Sequence, residues 1–383
     1  MKKLMILAVT TALLFATGCA KVEDTSPVND SLQAIGFTNY APRSLTKAGP
    51  TLVNSGALPS GSTIGVYGYS TQDVNFPATS TSPELKPTFM TNLPVAYTET
   101  TSATATATTP VRYWPKTTTN LLTFIAYYPY SADNTGAITS KPTASTNAIG
   151  SFEFTQAGVV TDMVDFMVSD VANDYYYDAS SASNSNGQRS SDGSVPFTLR
   201  HMLSKVNFKF AKADGLDGAE IKVTYASIAG VLSKGTLTPT YIAPESAGSP
   251  GTTKFGSNNW DASANTAYAS AVTIPITSAS GDYLILSTTP TLNSTTATNQ
   301  NFLFVPQTLA NTVVVTIAYD ITQNENVTTH NTATVQLNQG AGHPSAWNRN
   351  DNIVYTFTIG LTPITFKATV QGWADESTGA FTI

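Results

Sequence analysis

From Ile364 to Gln371 apolar and polar residues alternate without a break: Ile364, Phe366, Ala368 and Val370 against Thr365, Lys367, Thr369 and Gln371. A period of two sends successive side chains to opposite faces of an extended chain. The segment therefore reads as a strand with one face for a core and one for solvent. Similar short runs recur at Ala34–Tyr40, Thr63–Tyr69, Val95–Thr98, Val111–Trp114, Leu121–Tyr128, Ser151–Phe154, Val164–Val168 and Val195–Phe210. They continue at Ile221–Ala226, Val272–Ile276, Tyr283–Ser287, Phe302–Pro306, Thr312–Asp320, Ala333–Leu337 and Val354–Ile359. Gly, Pro, Asn and Ser separate them, and few segments have a helical period. The expected fold class is all-β.

Domains run roughly 100–200 residues, so a chain of 383 residues points to two. The stretch DASSASNSNGQRSSDGS, Asp178 to Ser194, has almost no apolar side chain and reads as a linker or a long surface loop. With the boundary placed there, each half carries about seven short strands, which fits two tandem β-sandwiches. The expected domains are 34–190 and 191–383. A single large sandwich or a barrel is the rival arrangement.

The N-terminus carries a different message. Lys2 and Lys3 precede an apolar run, Leu4 to Phe15, and small residues follow before Cys19, the one cysteine in the chain. Basic, apolar and small segments in that order make a secretory signal, here residues 1–18. The apolar run is about a dozen residues, short of the roughly 20 that span a bilayer. The position of Cys19 directly after Gly18 resembles a bacterial lipobox, with Ala16 where most carry a larger aliphatic residue. That reading makes Cys19 the lipidated first residue of a tail, 19–33. The mature chain then holds no disulfide and depends on its core.

Chemistry is harder to find. Charged residues are 11% of the chain and the net charge is −6, which gives no electrostatic footprint for nucleic acid. The three histidines, His201, His330 and His343, lie far apart and outside any metal-binding spacing. His201, on an expected strand, reads as a structural, hydrogen-bonded side chain. There is no nucleophile elbow and no phosphate loop. Lys212–Gly218 lacks the ligand order of a calcium loop and reads as a turn. The tyrosines of Asp174–Asp178 and the tryptophans Trp114, Trp260, Trp347 and Trp373 read as core residues. No catalytic residue, metal or cofactor is expected, and the chain does not read as an enzyme.

Six phrases in order, STIGVYGYS (62–70), VRYWP (111–115), LLTFIAYYP (121–129), VDFMVSD (164–170), PFTLRHMLSKVNFKF (196–210) and NIVYTFTIGLTPITFKATVQGW (352–373), resemble the fimbrillin (Mfa-like) lipoproteins of Gram-negative anaerobes. Lys21, Glu23 and Asp24, just after Cys19, resemble the charged tag that directs such lipoproteins to the cell surface. The resemblance implies two transthyretin-like β-sandwich domains and a pilus subunit, carried as a lipidated precursor to the outer membrane and ending in the fimbrium. It also implies that a trypsin-like protease removes the N-terminal segment with the first strand, and that a strand from another subunit fills the groove.

On this sequence the displaced strand would be Ala34–Tyr40, with Ile35 and Phe37 inward. Arg43 and Lys47 follow in a loop-like stretch with Pro42, Gly49 and Pro50, and are the cleavage candidates. The donor has two candidates. Ile364, Phe366 and Val370 form one. The other is the end of the chain, with Phe381 and Ile383 as pegs; ten extended residues after Trp373 reach about 33 Å. So short a donor suits a tip or accessory subunit. The expected partners are other pilus subunits, the processing protease, the outer membrane through the lipid, and a host or bacterial surface receptor or glycan. The competing function is a glycan-binding surface lipoprotein that keeps its anchor and never assembles.

Overall fold

β-Branched and aromatic residues fill short runs that glycine, proline and asparagine end, so the chain builds strands and almost nothing else. The computed structural model describes residues 32–40, 58, 61–71, 76, 86–97, 104–105, 110–146, 149–180, 184–239, 260–295, 301–323, 327–339, 343–361 and 364–372. Among the described residues, the helical content is one 3-10 turn at Val160–Asp162.

The first half contributes β1 (Gly36–Tyr40), β2 (Thr63–Ser70), β3 (Met90–Ala96), β4 (Thr104–Ala105), β5 (Leu122–Tyr128), β6 (Ile138–Ser140), β7 (Phe152–Thr155), β8 (Met167–Ser169), β9 (Ala172–Tyr177), β10 (Gln188–Ser190) and β11 (Ser194–His201). All but β6 and β7 join one nine-stranded sheet, in the order β10-β9-β5-β8-β11-β1-β4, with β2 on β5 and β3 beyond it. In β2 and β5 the apolar residues run on without alternating, because both faces of this sheet are covered. Ile64, Val66, Phe124 and Ala126 point into one apolar cluster, shared with Phe37, Trp114 and Phe197. Tyr67, Tyr69, Ile125 and Tyr127 point the other way, into a larger cluster that extends through the second half.

The second half contributes β12 (Ser204–Lys212), β13 (Ala219–Ala229), β14 (Leu232–Leu237), β15 (Trp260–Ala267), β16 (Val272–Ile274), β17 (Leu284–Ile285), β18 (Thr291–Leu292), β19 (Phe302–Phe304), β20 (Gln307–Thr308), β21 (Val314–Gln323), β22 (Val327–Gln336), β23 (Ala346–Trp347), β24 (Asp351–Ile359) and β25 (Thr365–Gly372). One five-stranded sheet runs β18-β12-β24-β25 with β19 on β12; another runs β16-β13-β21-β22 with β17 on β13. Their alternating apolar rows share a core: Val206, Phe208, Phe210, Tyr355 and Phe357 from the first, Ile221, Val223, Val315 and Ile317 from the second. The all-β expectation and its sandwich of sheets are thus met.

Three local expectations change. Val111–Trp114 is not a strand; it lies between Pro110 and Pro115 and makes a single bridge, Tyr113 to Ala34. Residues 178–194 contain β10 and lead from β9 to β11 within one sheet, so the stretch is not a linker between sheets, and part of it is strand where a loop was expected. Polar side chains tie this loop down: Arg189 Nε donates to Asp178 O at 2.9 Å, and Asn184 Nδ2 donates to Thr118 O at 2.9 Å. Val195–Phe210, expected as one run, breaks at Met202 and Leu203, where the chain passes from the nine-stranded sheet to that of β12. Sheet membership therefore changes at Met202, not at residue 190. A further sheet, β15-β14-β7-β6, draws strands from both halves, with Lys234 opposite Thr155 and Leu237 opposite Phe152. From Gln33 onward the chain forms one compact unit.

Candidate functional site: the slot of the first strand

β1 is a short strand with long-range partners on both sides. It runs parallel to β11, with Phe37 opposite Val195 and Asn39 opposite Phe197, and antiparallel to β4, with Phe37 opposite Ala105. The residues just before it are held as firmly. Ile35 N–H donates to Arg112 O at 2.9 Å and Trp114 N–H donates to Gln33 O at 3.0 Å. Gly36 N–H and the Trp114 indole N–H both donate to Gly193 O, each at 3.0 Å.

Ile35 and Phe37 are the inward residues, each 1% exposed. The Phe37 ring stacks on Phe197 at 5.2 Å and meets Phe124 edge-on at 5.4 Å. Trp114 closes the layer, edge-on to Phe124 at 6.1 Å. Burying two such side chains is worth roughly 3–6 kcal/mol. A domain is stable by only about 5–15 kcal/mol. Withdrawing β1 would also leave the backbone groups of β11 and β4 that face it without partners.

Gly193 is the residue of this site that sequence reasoning passed over. Its φ of +83° is left-handed, and a Cβ there would sit 2.5 Å from Gln33 Nε2 and 3.0 Å from Ala34 O. Only glycine lets the chain approach so closely. The Asp192-Gly193-Ser194 turn signal, read inside the polar stretch, was the available clue.

The donor candidates lie elsewhere. Ile364 precedes β25, and Phe366 and Val370 lie within it; all three are half-buried and pack against the larger cluster. Among the described residues β25 pairs with β24 alone, with Phe366 opposite Phe357 and Val370 opposite Ile353. His343 stacks on Phe366 at 4.1 Å. Cys19, Arg43, Lys47, Phe381 and Ile383 lie outside the described residues.

Two buried basic side chains lie near the Asp165 carboxylate. His201 is buried, with Nδ1 2.9 and 3.1 Å from the two carboxylate oxygens of buried Asp165. Lys205, on the face of β12 opposite Val206, is buried too, because this sheet is covered on both sides there. Burial pushes its ammonium down to about 8, outweighing the attraction of Asp165. Tyr175 and Tyr176 are core residues of β9, and Trp114 and Trp347 are core as expected. Among the described residues no group of His, Cys, Asp and Glu could hold a metal ion, and no helix is long and apolar enough to cross a membrane.

The fimbrillin-like family profile matches residues 51–373. The chain belongs to the fimbrillin-like family. No curated protein matches it. A fimbrial protein from Bacteroides vulgatus has the same fold, with a TM-score of 0.61 at 17% identity over 89% of this chain and 100% of that one. A candidate cell adhesion protein from Bacteroides uniformis gives a TM-score of 0.44 at 17% identity, over 90% of this chain and 99% of that one. Another from Bacteroides ovatus gives 0.43 at 16% identity, over 91% of this chain and 100% of that one. The resemblance read in the six phrases is thereby established as family membership.

Proposed function

We propose that this fimbrillin-like protein is a structural or adhesive subunit of a surface fimbria, exported as a Cys19 lipoprotein and assembled by strand exchange after cleavage at Arg43 or Lys47. The observation that carries the proposal is β1: five residues, paired on both edges, sealed by two buried pegs, and followed at once by the two basic residues. Such a strand can be lost as a unit, and the slot it leaves can be refilled by any strand presenting two apolar residues at the same spacing. The donor is a C-terminal strand of another subunit, either that of Ile364, Phe366 and Val370 or the tail with Phe381 and Ile383. A tip or accessory place in the fimbria belongs to the same reading. The partners are other pilus subunits, a trypsin-like protease, the outer membrane before release, and a surface receptor or glycan.

The two tandem domains belong to the same proposal, with the division drawn at Met202 and Leu203 instead of between 190 and 191. β11 pairs with β1 and β8 and so goes with the first domain.

The experiment is limited trypsin digestion of the chain from Ala20 on, followed by mass and by size on SDS gels. Cutting confined to Arg43 or Lys47, with loss of the β1 peptide and the appearance of SDS-resistant multimers, is the expected result. Loss of β1 without multimers assigns a tip subunit that receives a strand from another pilin. A chain that stays whole at this loop overturns the cleavage step. Cys19→Ala should release the protein from the membrane fraction.

A further inference from the structure

The outward face of the sheet β16-β13-β21-β22 has no part in the strand-exchange reading, and its composition is unusual. Cross-strand register sets its rows: Glu220, Thr322 and Thr328; then Ile285, Lys222, Asp320 and His330; then Tyr225, Ala318 and Thr332; then Thr316 and Thr334, beside the buried Ser227. The face presents hydroxyls along β21 and β22, with an aromatic patch beside them. Tyr225 follows the irregularity in β13 and is 44% exposed. Tyr283 lies in the same patch, with Lys222 Nζ 5.3 Å from its ring centre.

The charges on this face are paired within it. Lys222 Nζ lies 2.9 Å from Glu220 Oε1, and His330 Nδ1 lies 2.6 Å from Asp320 Oδ1. Among the described residues of this face there is no unbalanced basic patch for a nucleic acid or an acidic polymer. Among the described residues the large apolar side chains of this face are Tyr225, Tyr283 and Ile285, a small group beside Lys222 and the hydroxyl rows.

The hydroxyls are ordered. Thr316 and Thr334 lie 3.4 Å apart across the strands, and Thr322 and Thr328 lie 2.9 Å apart. Each hydroxyl pair keeps spare donor and acceptor capacity. Threonine has little χ1 freedom to lose, so fixing these side chains on a ligand costs little entropy. An uncharged partner that offers many hydroxyls and flat C–H faces matches both parts: hydroxyls to the threonine rows and Asp320, a ring face to Tyr225.

We infer that this face binds an uncharged polysaccharide, laid along β21 and β22 with one sugar ring on Tyr225. The inference deepens the surface-fimbrial reading by naming a receptor class, and rests on that reading for its biological setting. Binding itself needs no lipid, no cleavage and no second subunit, so failure to assemble and failure to bind sugar are separate results.

The test is affinity electrophoresis of the whole purified chain in native gels containing dextran, laminarin, xylan or galactomannan. At least one should retard the protein. Tyr225→Ala should weaken that retardation at least tenfold with an unchanged melting temperature, because the side chain is exposed; Tyr225→Phe should retain it. Raising salt to 0.5 M should change the affinity less than twofold. Absence of retardation in all four gels overturns the inference. So does a folded Tyr225→Ala variant that binds as tightly as the parent, or binding confined to heparin and abolished by salt.

Discussion

Phenylalanine occurs on both candidate strands in different surroundings, and this gives a direct measure of how firmly each is seated. Phe37 is fully buried between Phe197 and Phe124. Phe366, on β25, is half-buried against Phe357 and His343. Truncating a buried phenylalanine costs about 3–5 kcal/mol, the sum of lost transfer energy and the cavity left behind. Truncation at a half-buried site loses about half the transfer term and little cavity cost, so Phe366→Ala should cost about 1–2 kcal/mol. The measurement is urea unfolding of both variants by tryptophan fluorescence, for which Trp114 is a reporter inside the β1 slot. Limited proteolysis in parallel will detect opening that is confined to β1. Equal losses at the two sites, or a loss at Phe37 below about 1 kcal/mol without new cleavage, would refute the reasoning that β1 is the sealed strand.

Gly193→Ala should destabilise the chain by about 1–3 kcal/mol, seen as a lower Tm, because a left-handed φ and a backbone clash with Ala34 meet there. Gly136, also at positive φ but with open space around it, should tolerate alanine better. Lys205 has a folded pKa of about 8 against 10.5 unfolded. The unfolded chain then holds the extra proton between these values, so stability should rise by up to about 2 kcal/mol from pH 8 to 10. Urea titrations across that range will show it, and Lys205→Met should flatten the rise. Burial holds His343 below its ordinary pKa of 6.5. The unfolded state takes up that proton first as pH falls, so His343→Asn should lose less stability than the parent on acidification below pH 6.5, read by Tm against pH.

Much of the fold was legible because strand periodicity is local. Ile35 and Phe37 stand two apart before a loop-like stretch, and that alone marks them as pegs. Phe208 and Phe210, or Tyr355 and Phe357, announce an inward row in the same way, and the unbroken apolar run of β5 announces a strand buried on both faces. The polar stretch 178–194 misled because composition reports what a segment can bury, while its order comes from hydrogen bonds to β9 and to Thr118 that no composition records. The burial of Lys205 was illegible for a related reason: alternation names two faces but not whether both are covered.

The sequence by itself determined the all-β class, the existence and inward faces of the strong strands, and the family. Only the tertiary structure decided that β1 lies between β11 and β4, that Gly193 supplies the acceptor for Gly36 and Trp114, and that β14 pairs with β7 across the two halves. Side-chain periodicity is written into each strand. Its hydrogen-bonding edges, by contrast, are chemically alike from strand to strand, so the choice of partner is made by the packing of distant residues against one another.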